Sequence, residues 1–318
     1  MRLTGAVVPN SSSPSNLINI RRGLRPGLEK SLAGMSQVPS SGCPDVSVNI
    51  PTLNSSATIA SCIQSVLRSS VPVREILVLD GGSSDGTVQI AQGLGAEVIE
   101  CGTGLLRARL LGVKNSSSEF VLMLDADQVL QPGTIARAGQ MIDRGLDMIV
   151  LGEVPESLDG IMERMWWAER RGYAKRTETH PFDFSEGALL PRFFKRTVLN
   201  EVAADIPPEI QSITHPDHQI IAYLAARHGA RTGFLPDAVV YHERTSILDI
   251  LRRYSAHGRD AARLARWPQF VGLVQAKSRR RIATLLTLRN DAPASLILYF
   301  IRGVPFLTGY LSECVFPS

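Results

Sequence analysis

Phe120-Val-Leu-Met-Leu-Asp-Ala-Asp127 decides the fold: five apolar residues run into two carboxylates separated by one alanine. An apolar, partly β-branched run of this kind reads as a strand buried on both faces. Open α/β sheets bind their ligands beyond the carboxyl ends of such strands. One residue between the acids lets both reach a single ion where the chain turns. Hard cations such as Mg²⁺ and Mn²⁺ favour oxygen ligands and share them with substrate phosphates. The triplet alone is expected about once by chance in a chain of this length, so its surroundings decide what it means.

Upstream the pattern repeats. Val46-Ser-Val-Asn-Ile50 is a β-type run broken by Pro51-Thr52-Leu53-Asn54, and from Ser56 onward Ile59, Ile63, Val66 and Leu67 take helical spacing. Glu75-Ile-Leu-Val-Leu79 then runs into Asp80-Gly-Gly-Ser-Ser-Asp-Gly-Thr87, after which Val88, Ile90 and Ala91 open a second helix. Glu97–Glu100 reads as a short third strand, and Leu105–Lys114, with Leu106, Leu110 and Val113, as the helix leading to the Phe120 strand. Alternation of strand, loop and helix predicts a Rossmann-like, mostly parallel α/β sheet flanked by helices.

The 318 residues, 44% of them hydrophobic, can bury a sizeable core. Cys43, Cys62, Cys101 and Cys314 have no CxxC spacing, which argues against a zinc site or a disulfide framework and fits a reducing, cytoplasmic setting. Residues 1–44 are rich in Ser, Pro, Gly and Asn, and read as a disordered tail or a targeting segment without a secretory apolar core. Residues 45–245 hold the strand-loop-helix pattern, and 246–318 form a basic and apolar helical extension. From Arg244 to Arg289 the chain carries Arg252, Arg253, Arg259, Arg263, Arg266, Lys277, Arg279, Arg280 and Arg281 against only Asp249 and Asp260. That concentration is either a solvated helix face or a contact with an anionic neighbour, a phospholipid or the phosphate of a lipid-linked acceptor. Nucleic acid is disfavoured, because no aromatics are interleaved as stacking platforms. Ala294–Ile301, followed by Arg302-Gly303 and Val304–Leu307, is too interrupted for a membrane span; it is expected to lie in a bilayer interface or to pack as a core helix.

The ordered set Pro51-Thr52-x-Asn54, Asp80-x-Gly-Ser-x-Asp-Gly-Thr87, Ala108-Arg109, Asp125-x-Asp127, Pro216-Asp217 and Val240-Tyr-His242-Glu resembles the family 2 glycosyltransferases, over roughly Asp45 to Asp260. The resemblance implies a GT-A fold, a nucleotide-sugar donor (a UDP-sugar) and a glycan or lipid-linked acceptor. Pro51, Thr52, Asn54 and Asp80 would hold the nucleotide, Asp80 accepting the N3–H of uracil. Arg109 would neutralise the diphosphate, Asp125 would meet ribose and metal, and Asp127 with His242 would ligate Mn²⁺ or Mg²⁺. Asp217 would be the general base of a single inverting transfer, since a Gln-x-x-Arg-Trp motif of processive synthases is absent. Glu186-Gly187-Ala188 through Arg192 resembles the segment that approaches donor sugar and acceptor. The chain departs from the family pattern at Gly81, at Leu110 and at His215 before the downstream acid.

Each residue also has a purely structural reading. Asp80 can close an Asx-turn, Asp85 can shape the Gly-rich loop, Arg109 can be an exposed helix arginine, and His242 can simply pack. Asp125 and Asp127 can cap the next element, and Asp217 can N-cap the helix that begins at Ile220. His215 and His218 flank Asp217 and could take the proton in its place. Two other classes stay open: a sugar nucleotidyltransferase, and an inactive nucleotide-sugar-binding module.

Overall fold

The computed structural model describes residues 44–159, 164, 167, 191–241, 247–274 and 292–317, with the side chains of the last segment described from 300 onward. β1 (Val46–Thr52) is buried along its whole length. Val46, Val48 and Ile50 enter one core layer. Asn49 meets Ser116 through a 3.1 Å hydrogen bond on the other face. After α1 (Ile59–Leu67), β2 (Glu75–Asp80) lies parallel to β1, and after α2 (Thr87–Gly93), β3 (Glu97–Glu100) lies parallel to β2. α3 (Leu105–Asn115) returns the chain to β4 (Phe120–Met123), parallel to β1 on its other side.

Successive residues of a strand point to opposite faces, and β4 shows the result: Phe120 and Leu122 join one core layer, Val121 and Met123 the other. β5 (Gln128–Leu130), α4 (Thr134–Asp143) and β6 (Met148–Pro155) follow. The last parts are β7 (Pro191–Lys195), α5 (Arg196–Ala204), α6 (Asp217–Arg227), β8 (Thr232–Tyr241), α7 (Ile247–Leu264) and α8 (Ala292–Val315). The sheet has eight strands in the order β3-β2-β1-β4-β7-β6-β8-β5.

The first four strands are parallel, as the sequence pattern predicts, but the whole sheet is mixed. β7 runs antiparallel to both β4 and β6, and β5 antiparallel to β8. The chain leaves β6 at the carboxyl edge of the sheet and re-enters β7 at the same edge, so β7 can only run back. Pro191 and Arg192 therefore start at the edge where β4 ends.

α7 and α8 pack closely. A Cβ at Gly258 would stand 2.0 Å from the Phe306 carbonyl oxygen, and one at Gly309 2.0 Å from that of Ser255, so this crossing requires glycine on both helices. The contacts Tyr254–Arg302, Gly258–Phe306 and Arg263–Glu313 advance together, so the two helices run in the same direction. Arg302, Gly303 and Pro305 interrupt the apolar run without breaking the helix, and α8 is continuous through Pro305. The hydrogen bond that proline forfeits is offset by packing of the stripe Pro305, Gly309 and Glu313 against α7. Among the described residues no helix is long and apolar enough to cross a membrane.

Candidate active site

The loops after β1 and β2 are stitched to each other. Pro51 and Thr52 end β1 in buried positions, and the Thr52 hydroxyl oxygen is buried without a hydrogen-bond partner. Asn54 takes a left-handed backbone (φ 51°) and its side-chain oxygen accepts the Ser84 N–H at 2.9 Å. Asp80 is buried; its Oδ2 accepts the N–H groups of Gly82 and Ser83 at 3.0 and 2.9 Å, and its Oδ1 accepts the Ser83 hydroxyl at 2.6 Å. This is the Asx-type closure that the sequence allowed for Asp80. Asp85 shapes the turn as expected, accepting from Thr87 and from the Ser56 N–H. Those bonds hold its carboxyl far below the usual carboxylate range.

The second half of the site is a buried ion network. Arg109, on α3, is 1% exposed. Its Nε donates to Asp217 Oδ2 and its Nη2 to Asp125 Oδ1 at 2.7 Å. The other Asp125 oxygen pairs with Arg192 Nη2 at 2.9 Å, and that nitrogen also reaches Glu153 Oε1 at 3.0 Å. Gln128 Nε2 donates to the same Glu153 oxygen, and Gln128 Oε1 accepts the Asp125 N–H. Burial by itself would raise the Asp125 carboxyl, but Arg192 and Arg109 outweigh it and hold it well below its usual range. Asp217 follows the same logic: burial raises it, and the charge and hydrogen bond of Arg109 more than reverse that, so the group is ionised at neutral pH.

His218 is pushed down to about 4, first by burial and then by the charges of Arg109 and Arg192. It is neutral at pH 7, so its Nε2 accepts from Arg192 Nη1 at 3.1 Å and the proton sits on Nδ1, which is buried without a partner.

Asp127 is exposed just beyond β4. His242 lies outside the described residues. Tyr241, the residue before it, stands opposite Gln128, the residue after Asp127, in the β5–β8 ladder. Among the described residues no three His, Cys, Asp or Glu side chains converge as a metal cluster. Asp125 pairs both oxygens with guanidinium groups, whereas Asp127 stands on the exposed side of the same loop.

Residues 47–202 match the family model described as glycosyl transferase family 2. The chain carries a family 2 glycosyltransferase domain. A PGL/p-HBAD biosynthesis glycosyltransferase of Mycobacterium bovis is 34% identical over 107 residues, covering 31% of this chain and 42% of that protein. Glycosyltransferase AglJ of Haloferax volcanii is 30% identical over 122 residues, covering 38% and 40%. The chain thus matches about two fifths of the length of these relatives. Among solved structures, residues 1–349 of S. aureus TarS align with a TM-score of 0.51 at 18% identity, over 85% of this chain and 82% of that one. The mannosyltransferase PcManGT of Pyrobaculum calidifontis, in complex with GDP-Man and Mn²⁺, aligns with a TM-score of 0.55 at 17% identity, over 87% and 89%. These likenesses establish a GT-A fold.

Two local readings of the sequence need correction. Arg109 is not an exposed helix arginine, because two carboxylates draw it inward. Asp217 is the first residue of α6, not its cap, and makes no capping hydrogen bond; its carboxylate turns to Arg109 instead. Glu186, Gly187 and Ala188 lie outside the described residues, as do the tail 1–43 and the basic cluster around Arg280. The sequence reading passed over Glu153, although an acid ending the apolar run Met148–Leu151 is the same signal that nominated Asp125. It also passed over Asp260 of α7, whose Oδ2 accepts the N–H groups of Thr214 and His215 at 3.2 and 2.9 Å and so tethers the segment leading to Asp217. That contact joins residues 46 positions apart and left no local pattern to find.

Proposed function

We propose that the protein is an inverting glycosyltransferase that moves one sugar from a nucleotide-sugar to a hydroxyl of a glycan or lipid-linked acceptor, with Asp217 as general base. The observation that carries this reading is the shared guanidinium: Arg109 binds Asp217 and Asp125 together. It thereby ties an ionised base to the DxD loop, at the carboxyl edge where this fold class takes its ligand.

Asp217 takes the proton of the acceptor hydroxyl as that oxygen attacks the anomeric carbon from the face opposite the diphosphate. The bond from the anomeric carbon to the diphosphate oxygen breaks, the nucleoside diphosphate leaves, and the configuration inverts. The depressed basicity of Asp217 makes it a weaker base but keeps it ready to accept. Arg109 is better assigned to orienting the two acids than to the diphosphate, since its Nε and Nη2 are both committed to carboxylates.

Thr52, Asn54 and Asp80 form the nucleotide side. Structures of this fold are known with UDP-GlcNAc and with GDP-Man. Uridine is supported here by Asp80 Oδ1, which accepts one bond, from Ser83, and can accept an N–H beside it. Asp127 and His242 suit Mn²⁺ or Mg²⁺ as a carboxylate and an imidazole next in sequence to Gln128 and Tyr241, which stand opposite each other, and such an ion would supply charge neutralisation at the diphosphate.

The test is nucleoside diphosphate release from UDP-glucose, UDP-GlcNAc and GDP-mannose with Mn²⁺ or EDTA, alongside donor affinity by calorimetry. Asp217→Asn is expected to lower turnover by roughly two to four orders of magnitude, the usual share of general-base catalysis, with donor affinity retained. Asp127→Ala is expected to abolish the metal-dependent part of turnover and leave the fold intact, because its side chain is solvent-facing. Equal loss of donor binding in Asp217→Asn would move that residue to the donor site. A wild-type chain that releases no nucleotide from any donor would sink the enzymatic reading.

A further inference from the structure

α8 turns an apolar ridge to solvent. Phe300, Val304, Leu307, Leu311 and Val315 are each more than half exposed, and their spacing of three and four residues places them on one helix face. The ridge is roughly 22 Å long at about 1.5 Å per residue, and Phe316 prolongs it. From Gly303 to Phe316 the helix has a single charged residue, Glu313, and that one is buried against Arg263 and Arg266. α7 adds exposed Ile247, Leu248 and Leu251, which lie at the Phe300 end of the ridge because nearby Tyr254 stacks on Arg302. The largely exposed Arg252 stands one turn beyond Leu248.

We propose that this face lies along the surface of an anionic lipid bilayer, with the ridge sunk into the acyl boundary and the α7 arginines at the headgroups. An exposed apolar stripe this long is uncommon on a surface that meets only water. Neither helix can cross a bilayer, so the ridge would lie in the membrane plane, where binding scales with buried apolar area plus attraction to anionic lipid. Charge selects lipid over a second copy of the chain. Residues 247–274 carry Arg252, Arg253 and Arg259 in addition to Arg263 and Arg266, which pair with Glu313, against Asp249 and Asp260. Two copies meeting ridge to ridge would bring these cationic stretches together, whereas an anionic surface attracts them. Asp260 ties α7, on which α8 packs, to the segment before Asp217.

The experiment is flotation of the full chain with vesicles of phosphatidylcholine alone and of phosphatidylcholine mixed with phosphatidylglycerol. The wild type is expected to float with the anionic vesicles, and high salt to release it only in part, since screening leaves the apolar component. Leu307→Glu combined with Leu311→Glu is expected to lower the binding constant by more than about tenfold. Arg252→Gln is expected to lower it about fivefold. Thermal melts of both variants should match the wild type, because these side chains face solvent. Failure of the wild type to float with anionic vesicles would overturn the proposal, as would undiminished flotation of the double variant. A dimer in solution that the double variant dissociates, without flotation, would assign the ridge to a second copy and equally overturn it.

Discussion

A guanidinium as deeply buried as that of Arg109 must be paired, and its partners come from two distant places: Asp125 beyond β4 and Asp217 at the start of α6. Removing it leaves two carboxylates without their shared cation. Arg109→Met is therefore expected to cost about 3–5 kcal/mol of stability in urea unfolding, and Arg109→Lys to recover only part of that, because an ammonium lacks the fork that serves both acids. A melt unchanged in Arg109→Met would show that the network contributes nothing to the fold. His218 gives the site a pH signature. Its folded value of about 4 lies below the usual imidazole value of 6.5, so between these pH values the unfolded chain binds the proton that the folded chain refuses. Stability should thus rise with pH across that window, by about 1.4 kcal/mol per pH unit from this group. The lowered Asp217 acts in the same direction only below the ordinary carboxylate range, so the two effects separate. Urea titrations from pH 4.5 to 7.5 should show a slope in the wild type that His218→Gln loses; parallel curves would refute it. Much of this site was legible residue by residue, because acids at the ends of apolar runs announce themselves. What each acid binds was not, since Arg109, Arg192 and Asp217 meet only after the sheet has closed.

The elements explain where legibility stopped. Strand-loop-helix alternation marks β1 to β4, where a helix separates each strand from the next in the chain, and the pattern disappears at β7, whose short run Pro191–Lys195 hides an arginine between a proline and two phenylalanines. That reversal of direction, invisible to periodicity, is what carries Arg192 to Asp125. The same holds for α7, whose polar residues suggest a solvated face while Asp260 is turned inward to the Thr214 and His215 amides. Asp260→Ala should leave two backbone donors short of a partner, cost about 1–3 kcal/mol, and lower the turnover rate with donor affinity unchanged. A fall in donor affinity of the same size would place α7 at the nucleotide rather than behind the base. The α7–α8 crossing can be tested apart from the chemistry. Gly258→Ala puts a methyl group against the Phe306 carbonyl, a backbone group with little freedom to move, and the helices must separate. A loss of at least about 1–3 kcal/mol is expected from such overpacking, and a neutral effect on the melt would show that the crossing is looser than it stands here.

At the scale of the whole molecule, the motifs end near His242, which reads as a catalytic domain followed by a separable extension. Contacts nevertheless run from the extension back to the segment before Asp217. Glu313 of α8 pairs with Arg263 and Arg266 of α7; Asp260, one turn before Arg263, holds the segment that leads to Asp217; and Leu264, Phe270 and Leu273 belong to the core layer that packs under β4, β6 and α6. α8 itself packs mainly on α7. Deleting residues 292–318 should therefore act through α7: it uncovers the Gly258 face, strands two arginines beside the space left by one buried carboxylate, and loosens the tether of the base. The loops after β1 and β2 are held by the mutual bonds of Asn54, Asp80 and Asp85 and should keep their affinity for nucleotide. The truncated chain is expected to melt earlier and to turn over more slowly while binding the donor nearly as the full chain does, measured by calorimetry beside a turnover assay. Wild-type melting and turnover would show that α8 is an appendage and that the chain from Glu313 to Asp217 transmits nothing. Loss of nucleotide binding would show the opposite error, a donor side that depends on the C-terminal helices after all.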